Sequence, residues 1–266
     1  MEPVFLSDTA ERLMAHVAAM APASTRSGPV ERLPFTIRRV ATEADMLKAV
    51  QVRHAAYARH VPAFAQTLTA PEEADYDSDV VVLLAESKLD GSPLGSTRIQ
   101  TNLLQALHLE ESVELPLWLQ TRRLAEVTRL GVGEGRIGHL VKTALIKACF
   151  SYCEDKGIDY AVVTGRAPID RQYEQLLFTD VFASKAFIPL RHVGNLPHRV
   201  MAFEIASGEQ RWEAAQHPLL GFFRHTQHPD IDITTRHLVQ KPAEKAVLSP
   251  QTAVSGQSFY KMATVS

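Results

Sequence analysis

The stretch "LAEVTRLGV", residues 124–132, carries the decision about the fold. Its apolar ends and β-branched content read as a strand, yet Glu126 and Arg129 stand in its middle. Buried charges are costly unless paired or used, so this is either an exposed edge strand or a working surface. On a flat strand Glu126 and Thr128 share one face and Arg129 takes the other. The glycine-rich "GVGEGRIG" (131–138) follows, and then the helical "HLVKTALIKACFSYCEDKG" (139–157). A helix start preceded by glycines presents free N–H groups and a positive dipole end to an anion. Gly133, Gly135 and Gly138 let the backbone close around a phosphate there, and Arg136 adds charge.

Upstream, "FTIRRVAT" alternates like a strand, and "TEADMLKAVQVRHAAYARH" carries a helical stripe behind a Thr42 or Glu43 cap. An acidic, irregular segment leads into the hairpin-like pair "VVVLLAE" and "GSTRIQTN", and residues 103–121 read as a short helical region. Downstream come the strand "IDYAVVTG", the helix "IDRQYEQLLF" and the strand "RVMAFEIA". This mixed order excludes a uniform doubly wound sheet. It predicts an α/β (α+β) fold with a mixed, largely antiparallel sheet flanked by helices.

The predicted organisation is an amphipathic helix and linker over 1–34, a domain over 35–240, and a C-terminal extension ending in a polar tail over 241–266. The formal net charge of −2 gives no global attraction to nucleic acid or membrane, so a basic docking surface has to be local. No apolar run approaches the roughly 20 residues that span a bilayer. The N-terminus lacks a basic leader, which points to a cytoplasmic protein. Cys149 and Cys153 read as reduced packing residues, and the late histidines (217, 225, 228, 237) as surface or structural ones. No metal-ligand spacing is present.

"YEQLLF" (173–178) resembles a segment of the GCN5-related N-acyltransferase (GNAT) superfamily, whose strand, turn and helix hold a phosphopantetheine arm. "EVTR" (126–129), "RHAAY" (53–57), "EEADYDSD" (72–79) and "GSTRI" (95–99) resemble, in order, motifs of acyl-homoserine-lactone synthases and FeeM-type N-acyl amino acid synthases. Asp75 and Asp77 stand two apart rather than three, and no tryptophan lies near Ala63 or Phe64. Both differences fall where lactone synthases hold S-adenosylmethionine, which favours the N-acyl amino acid branch.

The resemblance implies a bacterial GNAT-like enzyme that moves a long-chain fatty acyl group from an acyl carrier protein to the α-amino group of an amino acid. Coenzyme A is the alternative carrier of the acyl-phosphopantetheine donor. An acetyltransferase, a lactone synthase and a non-catalytic acyl-pantetheine-binding module stay open. Superfamily members carry a bulge on the 124–132 strand, freeing an N–H to polarise the thioester carbonyl. Glu126 is then the base, Tyr173 the proton donor to the thiolate, and Arg129 a third catalytic candidate. Arg53, Tyr57, Asp75, Asp77 and Arg98 form the acceptor site, with Arg53, Arg98 and Arg129 the candidate carboxylate forks. Val132, Gly133, Gly135, Arg136 and Gly138 hold the pantetheine arm. Arg122, Arg123, Arg136, Lys142 and Arg166 suit an acidic carrier protein.

Overall fold

The alternating segments assemble into one mixed sheet of nine strands among the described residues. They are β1 (Phe35–Arg39), β2 (Val80–Ser87), β3 (Pro93–Thr101), β4 (Leu124–Val132), β5 (Tyr160–Gly165), β6 (Thr179–Asp180), β7 (Ile188–Leu190), β8 (Leu196–Glu204) and β9 (Ile231–Asp232). The computed structural model describes residues 28–234. The expected N-terminal helix, the polar tail and His237 lie outside them.

The strand order is β6-β8-β5-β4-β3-β2-β1-β9, with β7 also on β8. Only β4–β5 and β1–β9 run parallel among these pairs. The β4–β5 crossover is made by the long helix α4 (Gly135–Asp155), as a parallel connection requires. On one face Leu83, Ala85, Ile99, Ala125 and Val163 pack with Val141, Ala144, Leu145 and Ala148 of α4. Their odd numbering puts the even residues on the other face. There Val82 and Leu84 meet Met46 and Ala49 of α1 (Glu43–Ala58), while Leu124 and Val162 pack under residues 107–119.

Sequence signals explain the helix boundaries. Thr42 and Asp45 form a reciprocal capping box at α1, with Asp45 N–H donating to Thr42 Oγ1 over 3.2 Å. Helix α4 begins at Gly135, four residues before the expected His139, so Gly135, Arg136 and Gly138 belong to its first turn. A Cβ on Gly138 would stand 1.9 Å from the Gly133 carbonyl oxygen, so only glycine lets this turn close.

Other differences follow from short length. β6, β7, β9 and α6 (Gly208–Ala214) were not anticipated, because two to seven residues display no period. The helix expected over 169–178 shortens to α5 (Asp170–Gln175) and ends where Leu177 takes φ +68°. The expected helical region 103–121 contains one short helix, α3 (Leu117–Gln120), and a single 3₁₀ turn. Residues 28–34, expected as linker, lie against the fold: Leu33 is buried, and its N–H donates to Asp230. Both cysteines are buried and free. Among the described residues no helix is long and apolar enough to cross a membrane.

Candidate functional site

The β4–β5 ladder runs from Leu124–Tyr160 to Val127–Val163 and stops. Past that point β4 stays on β3, through a bulge. Arg98 pairs with Thr128 and Ser96 with Gly131, so Thr97 alone opposes Arg129 and Leu130. Arg129 takes φ +55° to make the bulge. The parted strand ends wall a cavity of about 460 Å³. Residues 127–132 line one side and Thr164, Arg166 and Ile169 the other. Tyr57 and Phe64 come from α1 and the short α2 (Pro62–Ala65), Lys142 and Tyr173 from α4 and α5, and Leu196 and His198 from β8.

The bulge answers the question raised by "LAEVTRLGV". It turns Arg129 to the side of Glu126 and Thr128, where a flat strand would send it away. Arg129 donates from Nε and Nη2 to Glu72 at 2.7 Å each, and from Nη2 to the His192 carbonyl at 2.7 Å. Arg98 donates to Thr128 Oγ1 at 3.3 Å and to Glu72 at 3.2 Å, and lies 3.4 Å from Asp75. Arg53, expected to grip a substrate carboxylate, is fully buried and closes its fork on Asp75 at 2.8 and 3.0 Å, with Glu72 at 3.2 Å. That expectation is corrected: the anion in the Arg53 fork is the protein's own, and Arg53 does not line the cavity. Asp77 stays outside this network, near His108 at 3.7 Å and Gln105 at 3.5 Å.

Three buried guanidiniums thus face two carboxylates. Burial pushes Glu72 upward, but its Arg129 hydrogen bond and the charges of Arg129, Arg98 and Arg53 outweigh it and hold the carboxyl below its usual range. Asp75 behaves alike, burial being outweighed by Arg53 and Arg98. Arg129 Nη1 is buried without a hydrogen-bond partner, and the Phe64 ring centroid lies 5.3 Å from its Cζ.

Glu126 is sealed beneath this layer. Its Oε2 accepts from the Leu109 N–H at 3.2 Å, and its Oε1 lies 3.3 Å from His192 Nε2 without hydrogen-bond geometry. Burial raises Glu126 to about 7 against the pull of Arg98 and Arg129, and burial with the same two cations lowers His192 to about 3. His192 is therefore neutral near pH 7, and Glu126 holds its proton part of the time. Neither lines the cavity.

Tyr173 does line it, its ring 5.7 Å from Phe178, and burial raises its hydroxyl well above the ordinary tyrosine range, with Tyr57 adding to the shift. A neutral phenol at working pH is a proton donor. Val132 reaches the cavity, and its carbonyl accepts from Arg59 at 2.6 Å. Gly133, Gly135, Arg136 and Gly138 lie beyond it, on the turn into α4. The expected basic set divides. Lys142 and Arg166 line the cavity and Arg136 is exposed on α4, whereas Arg122 and Arg123 precede β4, a strand length of roughly 30 Å away. Glu209, Glu213 and His225 stand within ligand reach of one another, exposed or half-exposed, outside the cavity lining.

Glu72, His192 and His198 were missed by sequence reading. Glu72 sits in the quoted acidic segment without a period to mark it, and the two histidines arrive only through the pairing of β8 with β5.

A strand pair splayed by a bulge, followed by a glycine-started crossover helix, is the architecture of the GNAT fold. Comparison with solved structures bears this out. The chain is similar to FeeM, an N-acyl amino acid synthase from uncultured soil microbes, at 17% identity and TM-score 0.50, covering 71% of this chain and 96% of that one. It is also similar to BjaI, a coenzyme-A-dependent acyl-homoserine lactone synthase, at 17% identity and TM-score 0.48, covering 73% and 93%. A third is the PaiA N-acetyltransferase from Thermoplasma acidophilum in complex with coenzyme A, at 12% identity and TM-score 0.43, covering 65% and 99%. No family model matches the sequence, and no curated protein does. At 17% identity the FeeM likeness shows the fold alone.

Proposed function

We propose that this protein is an N-acyltransferase that moves a long-chain acyl group from a phosphopantetheine thioester to the α-amino group of an amino acid. One observation carries the reading of the acceptor: three buried guanidiniums, of which Arg129 reaches the cavity wall with its Nη1 unpartnered, against two ionised carboxylates. An uncompensated buried cation is costly, and an entering carboxylate relieves it. Phe64 covers this guanidinium and lines the cavity, so it turns aside as the carboxylate arrives. The FeeM likeness in fold agrees with this acceptor class.

The donor arm enters between the parted ends of β4 and β5, its phosphate toward the first turn of α4. A backbone N–H freed at the bulge polarises the thioester carbonyl and stabilises the developing oxyanion, often a dominant catalytic term. Tyr173 protonates the departing thiolate. Glu126, near 7, is poised to hold a proton, but it is sealed from the cavity, so a relay must feed it. An acidic carrier protein fits the basic rim of Arg136, Lys142 and Arg166.

The experiment is thiol release from palmitoyl-coenzyme A and palmitoyl-loaded acyl carrier protein, with the standard amino acids, followed by mass spectrometry. An open N-palmitoyl amino acid supports the reading. A lactone, acetyl transfer alone, or binding without turnover rejects it.

A further inference from the structure

We infer that His198 is the catalytic residue that first accepts the proton of the attacking amine, a proton that ends on the Tyr173 phenolate once the thiol has left. The inference rests on the acyl-transfer reading above and names the missing station in its relay.

The position follows from β8. His198 shares strand parity with Val200 and Ala202, which pack with Leu124 and Val162 on the face where Glu126 lies. The β5–β8 ladder ends at Gly165–Arg199, so His198 is the first residue beyond it and lines the cavity where β4 and β5 part.

The chemistry follows from one hydrogen bond. His198 Nδ1 lies 2.7 Å from the Leu196 carbonyl oxygen, which can only accept. Nδ1 therefore carries the hydrogen, and Nε2 keeps its lone pair. Both nitrogens of His192 are buried and unpartnered, but Nε2 of His198 is not among the sealed atoms. Burial, opposed by that bond and joined by the charges of Arg166 after β5 and Arg129 on β4, holds the imidazole below its usual value. It is neutral at pH 7 and ready to accept. His192, in the turn before β8, feels its charge, and Tyr57, Lys142 and Tyr173 line the same cavity. Glu126 cannot take this first proton, since no part of it lines the cavity.

The step balances without a further reactant. The acceptor ammonium first loses one proton to solvent, and the amine lone pair attacks the thioester carbon. The C–N bond forms, the carbonyl π pair moves to oxygen, and the surplus N–H proton passes to His198 Nε2. Collapse of the intermediate breaks the C–S bond, and the thiolate takes a proton from Tyr173. The imidazolium proton then returns to the phenolate through the relay or solvent. The products are amide and thiol.

His198→Asn tests this, because the Asn amide can still donate to the Leu196 carbonyl while the Nε2 base is gone. Thiol release from palmitoyl-coenzyme A and palmitoyl-loaded carrier protein, with the standard amino acids, is followed across pH. The expected result is a kcat loss of about 100- to 10,000-fold with an unchanged KM for the thioester and an unchanged Tm. The acid limb of the wild-type profile disappears, and added imidazole restores part of the activity of His198→Gly. Wild-type kcat in a folded His198→Asn protein overturns the assignment. So does a loss that comes with a lowered Tm in both variants and resists imidazole. If the wild type itself shows no amine-dependent thiol release, the acyl-transfer reading falls with it, an outcome distinct from the other two.

Discussion

The two faces of one sheet are built on different terms. The α4 face is an ordinary core: Ala125, Val141, Leu145 and Val163 pack there, and the Phe150 ring meets Phe178, Phe203, Trp212 and Phe223 at centroid distances of 5.0–6.3 Å. Across β3 and β4 on the α1 face, the same sheet buries Arg53, Arg98, Arg129, Asp75 and Glu126. Replacing a buried ion network with packed hydrocarbon is often neutral or stabilising. On the proposed reading the charged face serves the acceptor, and its surplus cation beside the cavity is what the acceptor carboxylate meets.

The largest stability effect should come from breaking the network. Arg53→Ala leaves Asp75 buried with the Glu72 N–H at 2.9 Å and, as its one cation, Arg98 at 3.4 Å, and should cost about 3–5 kcal/mol by denaturant unfolding. Pairing it with Asp75→Leu should recover much of that loss. No recovery would mean that α1 packing, rather than charge, holds this face. On the other face, Leu145→Ala should cost about 2–5 kcal/mol through its cavity, while turnover per folded molecule stays at the wild-type value. Loss of turnover in folded protein would erase the division between the faces.

Glu126→Gln separates the two in a third way. The Glu126 pKa rises on folding from 4.5 to about 7, so the folded state binds the extra proton between those values and stability falls as pH rises through them. The variant should therefore gain about 3 kcal/mol at pH 8 and nothing below pH 4. It should also turn over more slowly. His192 opposes this slope: its folded pKa of about 3 means that stability is lost as pH falls below 6.5. A pH-independent difference between wild type and variant would show that folding leaves the Glu126 pKa unchanged. The smallest effect is at the rim. Arg136→Glu should leave stability within about 0.5 kcal/mol yet slow association with an acidic carrier protein, and Arg123→Glu should not slow it. Equal slowing by both would place the docking surface elsewhere.

Element order was legible because β4, β5, β8, α1 and α4 are long enough to show a period. Side chains could be assigned to a face where they belong to those elements: Glu126, Arg98 and Tyr57 follow from position on a strand or helix. Arg53 shows the limit. Its face was readable, but its partner Asp75 comes from an irregular segment 22 residues on. Glu72 and His198 reach the site through tertiary pairing alone. The direction of Arg129 depended on a bulge that a flat reading of "EVTR" reverses.

The most direct test of the account compares a free amino acid with its carboxamide as acceptor, using the amino acid the wild type uses best. A charge-assisted hydrogen bond typically contributes about 1.5–3 kcal/mol, so the free acid should have a roughly tenfold to hundredfold higher kcat/KM. The gap should close in Arg129→Ala and persist in Leu145→Ala. Equal use of acid and amide by the wild type would contradict the claim that the buried cations of the α1 face exist to receive a carboxylate.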